Sequence, residues 1–256
     1  MQKNAQIGVF DSGVGGISVM KALRKELPNE SFIYLADSAN APYGQLDNGH
    51  ILDLSIKNAE FLLDKKVKLI VVACNTATGI AIKTLRKMFD VPFIGMEPAI
   101  KPASIQSVAK KIGVLATART FEADHFNETA GMHSGDIELF VRVGDGLVEL
   151  VEEGRSESPE SEELLKSYLE PMIDAGIDQL VLGCTHYPFL MPLILKIIPG
   201  GIVVHDPAPA VARQTRRILE QMDGLTDMSD RLPDQFFSTG DRSVLDKILE
   251  QMGWTL

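Results

Sequence analysis

Two apolar runs that each end on a cysteine constrain the fold of this chain more than any other feature. Residues 69–73 are apolar and mostly β-branched, and they run into Cys74 and then into a helical pattern. Residues 179–183 repeat this arrangement and run into Cys184, the only other cysteine in the sequence. Runs of this kind are typical of buried strands. The sequence therefore predicts two similar strand-to-helix units, each with a thiol at its turn.

Strand and helix patterns alternate along the rest of the chain in the same way. The predicted strands are residues 7–10, 32–35, 69–73, 91–96, 111–117, 138–143, 179–183 and 201–205, and the predicted helices include 17–27, 51–63, 77–89, 210–222 and 241–252. This rhythm is typical of parallel sheets with right-handed crossovers. Residues 111–117 resemble residues 6–12, and Cys184 follows Cys74 by 110 positions. We therefore predict an α/β fold with two similar domains, each a mainly parallel sheet flanked by helices.

Composition and charge exclude several classes of function. The formal net charge of −10 disfavours binding to nucleic acid or to an anionic membrane. The first residues lack the apolar core of a signal peptide, and no apolar run reaches membrane-spanning length, so we expect a cytoplasmic protein. Two cysteines in a reducing compartment argue against a disulfide, and the absence of closely spaced Cys and His ligands argues against a metal site.

Polar residues follow several of the predicted strands. Because ligands of parallel sheets bind at the carboxyl ends of the strands, we expect these residues to line one cleft between the two domains. Helix N-termini at such ends bind carboxylates and lower the pKa of a thiol. The candidate segments are Asp11-Ser12, Pro42-Tyr43-Gly44, Cys74-Asn75-Thr76 and Cys184-Thr185-His186.

The glycine-rich segment Gly13-Val14-Gly15-Gly16 does not fit a nucleotide site. Ser18 stands where a dinucleotide fingerprint needs its last glycine, and the lysine-serine pair of a P-loop is absent. We expect instead that this backbone approaches a small anion closely.

Each cysteine has a structural and a chemical interpretation. A free cysteine is most often a small buried hydrophobic residue, His186 is equally interpretable as a loop histidine, and Asp11 as a helix cap. Two thiols at equivalent strand ends suit one reaction in particular, because inverting a stereocentre requires acid/base groups on both faces of a carbon. Asp11 near Cys74 and His186 near Cys184 are the candidates that help deprotonate the thiols.

The sequence resembles the bacterial glutamate racemases, which belong to the cofactor-independent aspartate/glutamate racemase family. The resemblance covers nearly the whole chain. It rests on six segments that are specific in combination: Val9-Phe10-Asp11-Ser12-Gly13-Val14-Gly15-Gly16, Ala41-Pro42-Tyr43-Gly44, Ala73-Cys74-Asn75-Thr76-Ala77, Gly95-Met96-Glu97-Pro98-Ala99, Gly183-Cys184-Thr185-His186-Tyr187-Pro188 and Asp206-Pro207-Ala208.

The resemblance implies direct 1,1-proton transfer between L- and D-glutamate without a cofactor or metal, which feeds peptidoglycan synthesis. It implies that Cys74 deprotonates the D-isomer and Cys184 the L-isomer, assisted by Asp11 and His186. Substrate-binding residues by the same resemblance are Asp11, Ser12, Pro42, Tyr43, Gly44, Asn75, Thr76, Thr185 and His186.

The resemblance also implies a homodimer of two-domain subunits, with the domains related by a pseudo-twofold axis and the active site in the cleft between them. Together with the helical patterns of the tail, it indicates that the tail returns to the first domain. We expect residues 1–97 and 207–256 to form that domain and residues 98–206 to form the second.

Glu152 is the expected assisting glutamate, by resemblance to a family variant with a Val-Glu-Leu-x-Glu segment. Glu149 and Glu153 lie on neighbouring helix positions, so a solvated acidic helix is the alternative. An aspartate racemase, a related thiol-dependent racemase or a decarboxylase would use similar residues, although a single-thiol decarboxylase needs only one cysteine. A two-domain amino-acid binding protein without chemistry is the alternative from another class.

Overall fold

The computed structural model describes residues 3–122, 136–227 and 231–254. Within these ranges the strands are β1 (Ile7–Asp11), β2 (Phe32–Ala36), β3 (Leu69–Val72), β4 (Phe93–Gly95), β5 (Lys111–Ala116), β6 (Glu138–Val143), β7 (Gln179–Gly183), β8 (Val203–His205) and β9 (Gln235–Ser238). The helices are α1 (Ile17–Glu26), α2 (Asn48–Asp64), α3 (Asn75–Met88), α4 (Ile100–Gln106), α5 (Ala118–Glu122), α6 (Leu147–Glu152), α7 (Pro159–Asp174), α8 (Met191–Ile197), α9 (Ala208–Gln221) and α10 (Ser243–Gln251). None of the helices in the described ranges has the length and apolar character needed to cross a bilayer.

The strands form two parallel sheets that share one strand order. The first sheet runs β4-β3-β1-β2-β9 and the second runs β6-β5-β7-β8. Every pairing between neighbours is parallel. When the second sheet is followed from β8, its order β8-β7-β5-β6 matches β4-β3-β1-β2 strand for strand. The predicted α/β class, with two similar parallel sheets flanked by helices, is confirmed.

Strand β9 was not predicted. Only Phe236 and Phe237 of its four residues are apolar, so the pattern is too short to indicate a strand. Its position depends on contacts with residues that are distant in sequence. The preceding Asp234 accepts a hydrogen bond from the Phe32 backbone at 3.0 Å and forms an ion pair with Arg24. The strand extends the first sheet beyond β2. Residues 228–230 of the predicted preceding loop lie outside the described ranges.

The order of the strands creates one crevice in each sheet. The chain leaves β1 for β2 on one side and later returns to β3 on the other, and β5, β6 and β7 repeat this path. Ligands of open parallel sheets bind at the carboxyl ends of strands where the order reverses in this way. Cys74 follows β3 and Cys184 follows β7. Each thiol therefore lies at the crevice of its own sheet.

Candidate active site

Cys74 is a buried thiol that also begins a helix. Its sulfur accepts a hydrogen bond from the Ala77 backbone at 3.4 Å, which explains why α3 begins at Asn75 and not at the predicted residue 77. The thiol donates to the Ser12 hydroxyl at 3.6 Å. Burial, and secondly the charge of Asp11, raise the pKa of Cys74. The Ala77 backbone hydrogen bond at the helix N-terminus acts in the opposite direction and lowers this pKa, as expected, but burial outweighs it.

Cys184 is the first member of a chain of three side chains. Its sulfur lies 3.7 Å from Nδ1 of His186, and Nε2 of that imidazole lies 2.5 Å from Oε1 of Glu152. Burial lowers the pKa of His186, but the hydrogen bonds to Cys184 and Glu152 outweigh it and raise the pKa well above its ordinary value. The imidazole is therefore held in its protonated form next to the thiol.

Of the three glutamates near α6, it is Glu152 that contacts His186. Its Oε1 accepts a second hydrogen bond from the Val14 backbone at 2.7 Å. Glu149 accepts from the Gln45 amide at 2.6 Å, and Glu153 binds Arg155 at 2.8 Å. The neighbouring glutamates are thus engaged with other partners, and the carboxylate of Glu152 is positioned by both sheets.

Asp11 is fully buried at the end of β1 and connects the surroundings of both thiols. One carboxylate oxygen accepts from the Gly16 backbone at 2.8 Å, and the other accepts from the Ser12 and Thr185 hydroxyls at 3.4 Å each. Burial raises the pKa of Asp11 to about 6. Asp11 is linked to Cys74 by hydrogen bonds through the hydroxyl of Ser12, and its charge also raises the pKa of that thiol.

A small cavity brings the two thiols to one place. Its free volume of about 10 Å³ is comparable to the space that a single water needs. Apart from Asp11, all the residues expected to bind substrate line it. The lining residues are Ser12, Pro42, Tyr43, Gly44, Cys74, Asn75, Thr76, Thr117, Val148, Cys184, Thr185 and His186.

Asn75 and Thr76 are the first two residues of α3, and both line this cavity. Asn75 is buried, and neither polar atom of its amide has a hydrogen-bond partner in the described parts of the chain. The hydroxyl of Thr76 lies 3.0 Å from that of Thr117. A buried amide without a hydrogen-bond partner costs free energy, so Asn75 is available to hydrogen-bond a polar ligand.

The loop that carries Pro42 and Gly44 is fixed through the phenol of Tyr43. This phenol donates to Asp37 at 2.5 Å and accepts from the Asn58 amide at 3.1 Å. Asp37 also accepts from Thr239, which follows β9, at 2.6 Å. Burial raises the pKa of Tyr43, so the phenol stays protonated and acts as a donor.

Two lining residues were missed by sequence reasoning. Thr117 follows β5 and is the counterpart of Ser12 in the internal repeat, so the resemblance between residues 6–12 and 111–117 contained the signal for it. Val148 lies on α6, where its apolar pattern gives no indication of a site. Within the described residues, no group of three or more His, Cys, Asp or Glu side chains is arranged to hold a metal ion.

The glycine-rich segment does approach an anion, and the anion belongs to the chain itself. The Val14 backbone binds the Glu152 carboxylate, and a Cβ placed on Gly13 would overlap that carboxylate. A Cβ on Gly15 would overlap the ring of His186. The loop after β1 therefore lies directly over the pair that supports Cys184.

Comparison with known proteins shows similarity over nearly the whole chain. The model of the Asp/Glu/Hydantoin racemase family matches residues 12–215. A glutamate racemase of Ralstonia pickettii is 46% identical over 93% of this chain and 84% of its own length. The structure of Escherichia coli glutamate racemase in complex with L-glutamate has a TM-score of 0.87 at 30% identity, covering 98% of this chain and 94% of that one. The Francisella tularensis glutamate racemase in complex with D-glutamate has a TM-score of 0.83 at 31% identity, covering 97% and 94%. The chain belongs to the glutamate racemases of the Asp/Glu racemase family.

Proposed function

We propose that the protein interconverts L- and D-glutamate by transferring a proton between two thiols, and that it supplies D-glutamate for peptidoglycan synthesis. The observation that carries this proposal is that Cys74 and Cys184, from two different sheets, line one cavity. Inversion requires acid/base groups on both faces of the substrate carbon. Membership of the glutamate racemases supports glutamate as the substrate.

In the L to D direction, the thiolate of Cys184 removes the α-proton and the thiol of Cys74 returns a proton to the opposite face. The reverse reaction exchanges these roles. His186 and Glu152 assist at Cys184, where the protonated imidazole can stabilise the thiolate by donating a hydrogen bond to it. Asp11 assists at Cys74 through Ser12. The hydrogen bonds described above support these assignments.

The walls of the cavity hold the substrate in this scheme. The amide of Asn75 suits a carboxylate, because its polar atoms have no hydrogen-bond partner among the described residues, and the N-terminus of α3 suits one because helix N-termini bind anions. Asp11 does not line the cavity, but its carboxylate is hydrogen-bonded to the lining residues Ser12 and Thr185 and complements the charge of the ammonium from behind them. The full set of proposed substrate-binding residues is Asp11, Ser12, Pro42, Tyr43, Gly44, Asn75, Thr76, Thr185 and His186.

We further propose the domain division and assembly expected from the sequence. Residues 1–97 and 207–256 would form the first domain, which is supported by the membership of β9 in the first sheet, and residues 98–206 the second. The protein would act in the cytoplasm as a homodimer without a cofactor or metal. Light scattering at micromolar concentration tests the dimer, and a monomer mass would contradict it.

The test of the function is racemisation in deuterium oxide. Protein that has been treated with a chelator and freed of pyridoxal phosphate is incubated with pure L-glutamate. We expect optical rotation to disappear and deuterium to enter the α position of the D-product. Absence of exchange and of racemisation would contradict the two-base assignment. The same assay with L-aspartate distinguishes the two substrates.

The serine variants of the two cysteines distinguish chemistry from binding alone. Cys74→Ser and Cys184→Ser should each reduce racemisation by about 10²- to 10⁴-fold, since each removes one acid/base group. An amino-acid binding protein would show unchanged ligand affinity in both variants and no racemisation in any of them.

A further inference from the structure

The glycine-rich loop after β1 lies where the two sheets meet. Val14 follows β1 of the first sheet. Glu152 is the last residue of α6, which follows β6 of the second sheet. The 2.7 Å hydrogen bond between them therefore spans the cleft. Through the same oxygen, Glu152 holds His186 at 2.5 Å, and His186 contacts Cys184. A backbone group of one half is thus linked to the thiol of the other.

Space explains why this loop is rich in glycine. The backbone of Gly13 and Gly15 is outside the left-handed region, so neither position requires glycine for its conformation. A Cβ on Gly13 would overlap the Glu152 carboxylate, and one on Gly15 would lie 2.7 Å from Cε1 of His186. Both glycines leave room for side chains of the opposite half.

We propose that the Gly13-Val14-Gly15 loop is a positioning element for Cys184, which holds Glu152 and His186 in their working geometry only while the cleft is closed. This inference rests on the proposed function. Glu152 and the loop have no covalent link near the cleft, so separation of the sheets breaks the Val14 hydrogen bond. The support for Cys184 is then incomplete until the cleft closes again.

The Cys74 side is built differently. Its sulfur is held by Ser12 and Ala77, and both partners belong to the same half of the molecule as the thiol. Opening of the cleft leaves these contacts intact. A defect in the loop should therefore weaken proton transfer at Cys184 and spare Cys74.

Three variants distinguish the effect of the loop from the effect of the Glu152 charge. Gly13→Ala displaces the Glu152 carboxylate but keeps its charge, and the displaced group is the end of a flexible side chain, so the fold should be retained. Glu152→Gln keeps the shape and removes the charge. Gly200→Ala is the matched control, because a Cβ there meets nothing within 4 Å. We expect kcat/KM to fall about 100-fold in the first two variants and to stay within about twofold in the control.

Isotope effects identify which thiol is affected. Slower proton removal by Cys184 should increase the α-deuterium isotope effect on kcat/KM for L-glutamate. For D-glutamate the slow step becomes proton return from Cys184, so the effect should decrease. Ser12→Ala, which perturbs Cys74, should give the opposite pattern. General loosening of the structure would move both isotope effects in the same direction.

A second measurement does not depend on activity. The charged and titratable groups that face His186 are Cys184, Glu152 and Asp11. Because Gly13→Ala moves the carboxylate away, NMR titration should show a lower pKa for His186 than in the wild type.

The outcomes separate this inference from the function on which it rests. Wild-type protein that does not racemise glutamate would overturn the proposed function. Normal wild-type turnover, with unchanged isotope effects and an unchanged His186 titration in Gly13→Ala, would overturn the role of the loop alone. A large effect of Glu152→Gln together with none of Gly13→Ala would also overturn it, because the charge would then act without the loop.

Discussion

At the scale of single residues, the site keeps polar groups in states that cost stability. Asn75 is buried with an unpaired amide, and Asp11 is a fully buried carboxylate. Such groups persist where a ligand uses them. Their cost to the free protein is therefore measurable separately from their benefit to catalysis.

Asn75→Ala should stabilise the free protein and weaken substrate binding. Removing an unpaired buried amide should raise the free energy of unfolding by about 1 kcal/mol, and KM for glutamate should rise. The control is Asn58→Ala, since that buried amide donates to Tyr43 and Asp37 and its removal should destabilise. Urea unfolding measures both. Equal losses of stability in the two variants would contradict the unpaired state of Asn75.

Asp11→Asn should change how stability depends on pH. The pKa of Asp11 is about 6 in the folded protein and 3.8 in its ordinary state. Ionisation of this carboxyl therefore lowers the free energy of unfolding; the loss is absent well below pH 3.8, grows between the two pKa values and is complete well above pH 6. The variant should therefore gain stability over the wild type by about 3 kcal/mol between pH 3.5 and pH 7.5. Urea unfolding across this range measures the difference. A constant difference would mean that the carboxyl has an ordinary pKa.

At the scale of elements, the segment after β9 supports the loop that carries Tyr43. Thr239 donates to Asp37, which holds the phenol. Thr239→Val removes this donor from a buried carboxylate, so the free energy of unfolding should fall by about 1 to 3 kcal/mol and KM should rise more than kcat falls. Ser238→Ala is the control in β9. If Thr239→Val matches that control in KM, the link to the loop has no functional role.

Sequence patterns predicted the elements whose local signal is strong. Continuous apolar runs located β3 and β7, and the internal repeat indicated that the two sheets would be alike. The short β9 and its link to Asp37 depend on contacts between distant segments, which no local pattern contains. The placement of Glu152 against Val14 likewise depends on how the sheets meet. The identity of the anion at the glycine loop could not be predicted for the same reason.

At the scale of the whole molecule, a buried ion pair next to β3 ties the segment before β1 and the segment after α9 to the first sheet. Lys68 binds Glu30 at 2.6 Å, with both side chains almost fully buried, and it also donates to the carbonyls of Lys3 and Gly224. Lys68→Met leaves the Glu30 charge unpaired and should lower the free energy of unfolding by about 3 to 5 kcal/mol.

Two further variants test whether the unpaired Glu30 charge causes the loss of stability in Lys68→Met. Lys68→Met combined with Glu30→Gln should recover part of the loss, because the unpaired charge is gone. Lys3→Met removes ion pairs with two exposed carboxylates, Asp223 and Asp227, and should lower the free energy of unfolding far less than Lys68→Met does. Chemical denaturation measures all three. If the double variant is no more stable than Lys68→Met, the unpaired charge is not the cause.

The cavity between the sheets has a consequence for the rate of turnover. It has space for about one water, so glutamate can enter and leave only when the sheets separate. Each separation breaks contacts across the cleft, among them those of Glu152 with Val14, Gln45 with Glu149 and Arg119 with the Leu46 carbonyl. Large segments that move through solvent experience friction. Turnover should therefore slow as sucrose raises the viscosity of the medium, and removal of the Gln45 contact should reduce that dependence.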